Sequence, residues 1–229
     1  TSANSNFYIG YAAGYANQTG IYNTIVGNYS VAQTTAVVNF SAVTTLGWEA
    51  GYYATGSYNT FVGADAGLGG TTSAPYSSGQ YNVAMGNQAL EGFTTANYNT
   101  AIGHQAGEAI TTGIGNAFLG FRAGLTATTA DYSVGIGYGA LGDATLTGNY
   151  NIGIGRYTGY GCTTASHNCL IGYANGYAGG QANQLTGGGN TIISGGYSNA
   201  ANAGDTGSIV IGFNLTGKGA NTAYIGGTS

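Results

Sequence analysis

The sequence predicts an all-β fold: a parallel β-solenoid, or β-roll, of about 13 short rungs with a modal repeat of 17 residues. Three observations predict it. A short motif recurs along the whole chain, apolar residues in the motif alternate with a period of two, and 45 of the 229 residues are glycine. A unit of this length has room for two short strands and two turns but cannot bury an apolar face alone. Successive units must therefore stack, with equivalent strands about 4.8 Å apart.

An anchor residue, glycine in all but one copy, marks each repeat. The anchors are Gly10, Gly27, Gly47, Gly63, Gly86, Gly103, Gly120, Gly137, Gly155, Gly172, Ser194, Gly212 and Gly226. The recurrence of glycine predicts a backbone conformation that other residues avoid, or a crowded approach of two chain segments. No break in composition separates the copies, so we interpret residues 1–229 as a single β-roll repeat domain, a fragment or processed product of a longer fibre.

Apolar residues occupy two positions before each anchor. The residue directly before it is aliphatic or Met in every copy, and the residue two places earlier is small or apolar, as at Met85 and Val83. This period of two is typical of a strand, and we expect both positions to face the interior. Replacement of Ile102 by Asp is then expected to unfold the neighbouring rungs, because an unpaired buried charge costs several kcal/mol.

Asparagine precedes the strand in most repeats. It lies four residues before the anchor in nine copies: Asn6, Asn23, Asn59, Asn82, Asn99, Asn116, Asn151, Asn168 and Asn190. Asparagine suits the turn that enters a strand, and stacked copies predict a ladder of side-chain amides. A Thr-Thr pair follows the anchor in five copies, as at Thr94-Thr95, and leads towards the next turn.

The aromatic content predicts self-association. Aromatic residues make up 12% of the chain, more than the interior of so small a rung can hold. Lateral association of identical rolls would cover the excess, and three-fold closure suits a rod. We therefore expect a homotrimer with the aromatic column near the anchors at or beside the subunit contacts.

Charge and composition exclude several classes of function. Three Lys/Arg against seven Asp/Glu cannot provide the basic footprint of a nucleic-acid-binding protein. No run of apolar residues approaches the length of a transmembrane helix, so no membrane insertion is expected. No cofactor motif occurs, because the GGG at 187–189 lacks a Lys-Ser/Thr partner. Two cysteines, Cys162 and Cys169, are too few for a disulfide scaffold, and a local disulfide and two reduced thiols both remain open. His167 lies near them in the sequence but a fourth ligand does not, so no metal site is expected.

The motif N-[ST]-x-[IV]-G-x-x-A carries a resemblance to two families. The segment GSIVIGFNLTGKGANTAYIGG at 207–227 resembles the head of YadA-like trimeric autotransporter adhesins. The longer units, such as YNTFVGADAG, YNVAMGNQAL and YNTAIGHQAG, are more similar to repeat regions of bacteriophage tail fibres. Both resemblances imply a trimer of left-handed parallel β-rolls. The coiled-coil stalk, membrane-anchor barrel and chaperone domain of these families are not expected within residues 1–229.

Few residues have the arrangement of a catalytic site. Glu49 and Asp65 both lie two residues after their anchors in neighbouring rungs, so their side chains are expected about 5 Å apart, near the separation in retaining glycosidases. The alternative is a solvated pair in a polar surface column, and the chain is interpreted as non-enzymatic.

His104 and His167 are interpreted as substitutes for aromatic residues at an interface. The Thr pairs are also compatible with an ice-binding face, although adjacent residues point to opposite sides.

Receptor binding is expected where the repeat is interrupted. Three distances between successive anchors, from 27 to 47, from 63 to 86 and from 172 to 194, exceed the modal 17 residues by three to six. The extra residues are expected to leave the roll as loops. Aromatic rings beside amides suit sugars, because rings pack on C–H faces while amides bond hydroxyls. The predicted binding residues are Tyr76, Tyr177, Gln181 and Asn183. Solvated loops without a binding role are the alternative.

These patterns predict a structural and receptor-binding segment of an extracellular fibre. The first expected setting is the tail fibre of a bacteriophage virion, where the chain mediates attachment to a cell-surface glycan or protein. The alternatives are a bacterial trimeric adhesin head, exposed on the cell surface, and the subunit of a self-assembling extracellular filament.

Overall fold

Short strands joined by turns make up the chain. A computed structural model describes residues 5–32, 39–70, 76–142, 145–175 and 186–227, and every regular element in these ranges is a β-strand. The strands are β1 (Phe7–Ile9), β2 (Thr24–Val26), β3 (Thr44–Leu46), β4 (Thr60–Val62), β5 (Val83–Met85), β6 (Thr100–Ile102), β7 (Ala117–Leu119), β8 (Val134–Ile136), β9 (Ile152–Ile154), β10 (Cys169–Gly172), β11 (Thr191–Ser194), β12 (Ile209–Phe213) and β13 (Ala223–Gly227). The chain divides into two compact units, Thr1–Gly115 with β1 to β6 and Asn116–Ser229 with β7 to β13.

Within each unit, every strand pairs in parallel with the next strand along the chain. The register joins equivalent positions of successive repeats: Phe7–Ile9 lies opposite Thr24–Val26, and Val134–Ile136 lies opposite Ile152–Ile154. Most strands end directly before the anchor. The predicted all-β parallel solenoid with a repeat of about 17 residues is confirmed, and the alignment of the repeats is also the pairing of the strands.

The part of each turn that follows the strand, which we call the second wall, differs from the prediction. The 17-residue unit was expected to hold two strands, but the described part of each turn has one strand and a wall of bends and turns. Backbone hydrogen bonds still connect successive turns there, such as Gly51 N–H to the Ala66 carbonyl at 2.9 Å. Left-handed residues explain the difference. Positions two and four after the anchor have φ near +60°, as at Gln88 and Leu90, and this conformation breaks an extended strand.

The side-chain alternation is as predicted, but the predicted inward face is wrong. The middle residue of the three-residue strand is the buried one: Ile25, Phe61 and Ala101 have no exposed surface. The flanking residues face outward, and Leu46 before its anchor is 53% exposed. Ile102 is only half-buried, so its predicted role in the interior is not supported. A period of two shows which residues share a face, but it does not show which face is inside.

Large and small interior side chains are exchanged in several turns. Phe61, in the middle of its strand, is followed six residues later by Gly67, and a Cβ on Gly67 would lie 2.5 Å from the Phe61 ring. Ala84 is followed instead by Leu90, which is fully buried. The second unit has the same exchange with Phe118 and Gly124 and with Gly135 and Leu141. In the turn of Ala101 both Ala101 and Gly107 are small, and Ile110 is a large buried side chain of that turn.

Both predicted reasons for the anchor glycine are confirmed. Gly86 has φ +130°, which L side chains rarely adopt, and a Cβ there would lie 2.6 Å from the carbonyl oxygen of Gly103 in the next turn. Gly137 has φ +124° and the same conflict with Gly155, at 2.7 Å. The anchor column is therefore a line of close backbone approach.

The predicted amide ladder is present. The backbone N–H and Nδ2–H of Asn82 both donate to Oδ1 of Asn59 in the previous turn, at 2.9 and 3.2 Å. Asn82 Nδ2–H also donates to the Ala96 carbonyl at 2.8 Å, and Asn82 Oδ1 accepts two bonds from Asn99. The acceptor carbonyl lies fourteen residues on, beyond the second wall. Each buried amide therefore joins its own turn to its neighbours. It also bonds across its own turn, between the start of the strand and the end of the second wall.

The second unit uses the same ladder with serine as a substitute. Asn151 Nδ2–H donates to the Ala165 carbonyl at 2.7 Å, and Asn151 Oδ1 accepts from Asn168. Ser133 stands where the pattern lacks asparagine: its N–H donates to Asn116 Oδ1, and its Oγ accepts from the Asn151 N–H. Serine thus continues the ladder along the axis.

Both cysteines are free thiols. Of the two alternatives left open by the sequence, the structure has the reduced pair. Cys162 is buried, and this burial raises the pKa of its thiol to about 12. Because the thiolate is the reactive form, Cys162 acts as a small packed side chain at neutral pH.

A charge at the middle position of a strand tests the corrected inward face. Ala101→Asp should lower the melting temperature strongly, because it buries an unpaired carboxylate at a cost of several kcal/mol. Ala220→Asp, the same change at an exposed site, should leave the melting temperature nearly unchanged. Thermal unfolding followed by circular dichroism measures both. Equal melting temperatures for the two variants would contradict the assigned interior.

Removal of one amide tests the ladder. Asn82→Leu leaves the Ala96 carbonyl and the Asn99 N–H without their partner, while the backbone N–H of residue 82 keeps its bond to Asn59 Oδ1. Unsatisfied buried groups cost about 1–3 kcal/mol each. We expect urea denaturation to show a loss of about 3 kcal/mol or more. The matched change Asn87→Leu removes one exposed bond, to the Ala64 carbonyl, and should cost less than about 1 kcal/mol. A similar loss in both variants would refute the role of the ladder.

Candidate functional site

The outer face of the strands carries a continuous line of apolar side chains. We call the residues directly before the anchors the outer apolar stripe; they are Ile9, Val26, Leu46, Val62, Met85 and Ile102 in the first unit and Leu119, Ile136, Ile154, Ile171, Ile193, Ile211 and Ile225 in the second. All thirteen are exposed or half-buried. The in-register parallel pairing aligns them along each unit, so each unit presents a straight apolar ridge.

An open groove of about 500 Å³ runs beside this stripe in the second unit. Its walls are the stripe residues Ile171, Ile193 and Ile211, the anchors that follow them, and the exposed ring of Phe213. An exposed apolar ridge with an adjoining apolar groove is typical of a protein–protein contact surface.

Stacked aromatic rings follow a second line, five residues before the anchor. Tyr58, Tyr81 and Tyr98 stack nearly parallel with ring centroids 4.9 and 5.0 Å apart. In the second unit Tyr150 stacks on Tyr132 at 5.4 Å and on His167 at 4.9 Å. His167 therefore takes the place of a tyrosine in the stack, as the sequence indicates; its location at a subunit contact stays a prediction.

Only one of the four predicted binding residues lies in the described part of the chain. Tyr76 is buried, with 8% of its surface exposed, and its ring stacks on Tyr53 with centroids 6.3 Å apart. Its ring thus contributes to packing in this chain. Tyr177, Gln181 and Asn183 fall in the segment 176–185, outside the described residues, and a binding role for all four stays a prediction.

The carboxylates Glu49 and Asp65 lie close enough to interact. Burial raises the pKa of both, and the charge of Asp65 raises the pKa of Glu49 further. Glu91 belongs to the same acidic surface: its pKa is raised by burial, then by Glu108 and Asp65, and is lowered by a hydrogen bond from Gln88. The first unit therefore has a line of mutually repelling carboxylates. Within the described ranges, no three His, Cys, Asp or Glu side chains form a group that could hold a metal ion.

The threonine pairs have a structural role. Thr94 N–H and Oγ1–H both donate to the Thr111 carbonyl of the next turn, at 2.9 and 2.8 Å. Thr95 is exposed, so only the second residue of the pair faces solvent. This geometry confirms the predicted turn and leaves one threonine of the pair on the surface.

A cluster around the two arginines of the chain was not predicted from the sequence. Arg122, Leu125, Tyr138, Tyr157 and Tyr160 surround Gly139 and Gly142 and form a cavity of about 90 Å³, which we call the arginine–tyrosine notch. Arg156 packs beside it, with its guanidinium 4.8 Å from the Tyr157 ring centroid. The aligned repeats do indicate this cluster. Gly139 and Gly142 stand at two repeat positions that carry larger side chains in the turns before and after.

In the part of the chain that the structure describes, no helix could cross a membrane. Comparison with known proteins gives no match to a family model, to a curated protein or to a solved structure. The outer apolar stripe and the arginine–tyrosine notch are therefore interpreted from their own chemistry.

Proposed function

We propose that this chain is a structural and receptor-binding segment of an extracellular fibre, in which three copies associate along the outer apolar stripe. The first setting that we propose is the tail fibre of a bacteriophage; a bacterial trimeric adhesin head is the alternative, and the resemblance of the repeats supports both. The observation that carries the proposal is the exposed or half-buried aliphatic residue, or Met, at the same position of all thirteen repeats.

The repeat of the stripe favours a second copy of this chain as its partner. Stripe residues recur with the spacing of stacked strands, about 4.8 Å, along a straight line. Few surfaces match that spacing over many turns, but another copy matches it at every turn. Three copies that direct their stripes at one axis give each chain the same environment and close the assembly. Burial of the stripe would stabilise the fibre by roughly 25 cal/mol per Å² of apolar surface removed from water.

Low charge and backbone bonding along the axis suit a mechanical role. Only 4% of the residues are charged, so the stability of such a fibre should depend weakly on salt. Backbone hydrogen bonds join the turns, and the amide ladder adds to them in most turns, so tension along the roll is resisted by many bonds in parallel. A stiff spacer with binding groups on its surface is what an attachment fibre requires.

A charge in the stripe tests the association. The wild-type chain should have a solution mass three times that of the 22.8 kDa chain by light scattering. Ile102→Asp should shift the mass towards the monomer, because three-fold closure brings three carboxylates together at an apolar contact. Thr129→Asp, an exposed change outside the stripe, should remain trimeric. The circular dichroism spectrum should stay that of a β protein in both variants, and a monomeric wild type would refute the proposal.

Attachment to cells tests the receptor-binding part of the proposal. Fluorescently labelled trimer should bind saturably to at least one strain in a panel of bacteria. Tyr177→Ala should weaken this binding without a change in melting temperature, if the interrupted repeats carry the receptor contacts. Thr129→Ala is the control and should bind like the wild type. Absence of binding to every strain would limit the function to a structural one.

A further inference from the structure

One turn of the second unit lacks side chains that its neighbours carry. The positions two and five residues after the anchor are glycine in the turn that follows Gly137, namely Gly139 and Gly142. The same two positions hold Arg122 and Leu125 in the turn before, and Tyr157 and Tyr160 in the turn after. Equivalent positions of a solenoid stack in columns, and the arginine–tyrosine notch lies between these neighbours, with Gly139 and Gly142 in its lining.

Aromatic rings form one wall of the notch and hold one another in place. Tyr157 meets Tyr138 and Tyr160 edge-on, with ring centroids 5.1 and 5.0 Å apart. A Cβ on Gly139 would lie 2.8 Å from the Tyr157 ring, so that ring leans over the space that a side chain at this position would fill. The notch is therefore preformed, and glycine at 139 keeps it open.

Positive charge concentrates at the same place. The chain has three cations, and two of them, Arg122 and Arg156, lie here. Arg122 lines the notch, and Arg156 packs against the rings of Tyr138 and Tyr157 at 5.5 and 4.8 Å. A hydrogen bond with Tyr157 is the main cause that raises the pKa of the Tyr138 phenol, while both arginine charges act to lower that pKa. Both guanidinium groups therefore act on the phenol that borders the notch.

We propose that the arginine–tyrosine notch binds a carboxylated sugar, with the sugar carboxylate directed to the Arg122 guanidinium and its C–H faces packed on the tyrosine rings. This inference names the receptor chemistry of the proposed attachment fibre and rests on that function. A guanidinium presents paired N–H donors that match the two oxygens of a carboxylate. Tyrosine rings accept the C–H face of a sugar, and their hydroxyl groups bond to sugar hydroxyls.

The size of the notch selects how such a ligand is held. A volume of about 90 Å³ corresponds to about three water molecules of liquid. It therefore admits the carboxylate edge of a sugar, while the rest of the ring lies against the exposed Tyr138 outside. A terminal or side-branch acidic sugar fits this geometry better than a residue enclosed within a polymer.

Binding to matched oligosaccharides tests the proposal on the full chain in its native oligomeric state. The probes are oligosaccharides that end in glucuronate, sialate or 3-deoxy-octulosonate, each paired with its carboxyl-reduced form. We expect at least one acidic probe to bind in isothermal titration, and its reduced partner to bind at least tenfold more weakly. Binding by none of the acidic probes, or equal binding of the paired forms, would overturn the proposal.

Three variants locate the site. Arg122→Gln should weaken binding of the acidic probe at least tenfold. Gly139→Gln should do the same, because its Cβ would lie 2.8 Å from the Tyr157 ring and would displace that wall of the notch. The backbone should tolerate the change, since Gln88 and Gln105 occupy the equivalent position with the same positive φ. Lys218→Gln is the matched control: it removes one positive charge that also packs on a tyrosine ring, 4.7 Å from the Tyr224 centroid, in the same unit but outside the notch. Equal loss in Lys218→Gln and Arg122→Gln would show a general charge effect and refute the site.

The same variants on cells separate this inference from the proposed function. Wild-type protein that attaches to cells while Arg122→Gln attaches equally well would refute the notch as a receptor site and leave the fibre function intact. Acidic-probe binding that is lost in Arg122→Gln, together with no attachment to any strain, would support the notch and contradict the attachment function.

Discussion

A buried side-chain amide holds most turns of this roll to the next. The amide of Asn82 donates to Asn59 Oδ1 in the previous turn and to the Ala96 carbonyl across its own turn, and its oxygen accepts from Asn99. The strands have only three to five residues and cannot define the shape of a turn by themselves. The amide satisfies buried backbone groups where the chain reverses, so the strands of these turns depend on it. Serine at 133 keeps the bonds to both neighbouring turns, whereas Val43 keeps only its backbone bond to Asn23 Oδ1.

The narrow interior has a direct consequence for the exterior. The interior takes the middle residue of each strand and a few residues of the following turn, such as Phe93 and Ile110. In some turns two of these positions exchange volume, as Phe61 with Gly67 and Ala84 with Leu90 do. The remaining aliphatic residues of the strand have no space inside. They face outward as the outer apolar stripe, which in water favours association. The roll and its proposed trimer thus follow from the same limit on interior volume.

Irregular positions in a regular array are where binding chemistry can arise. Most columns of this protein repeat one kind of side chain, so their surface offers the same environment at every turn. Gly139 and Gly142 interrupt two columns at once, and Arg122 and Tyr157 of the neighbouring turns line the cavity there. The longer spacings interrupt the array in a different way, by adding residues. A repeat protein can therefore acquire a site either by insertion or by the loss of side chains, with no change in the strands.

The amino-acid sequence alone determined the architecture, because stacking at a fixed repeat leaves few alternatives. The anchors, the strand register, the amide ladder and the close approach at Gly86 all follow from the spacing of the motif. The inward face did not follow, since a period of two is the same whether Ala101 or Ile102 points inside. Left-handed tyrosines such as Tyr98 and the single strand per turn were also missed, because local propensity does not favour them and contacts between turns impose them. Only the tertiary structure decided which face is buried and which side chains meet at the notch, because both depend on atoms brought together from separate turns.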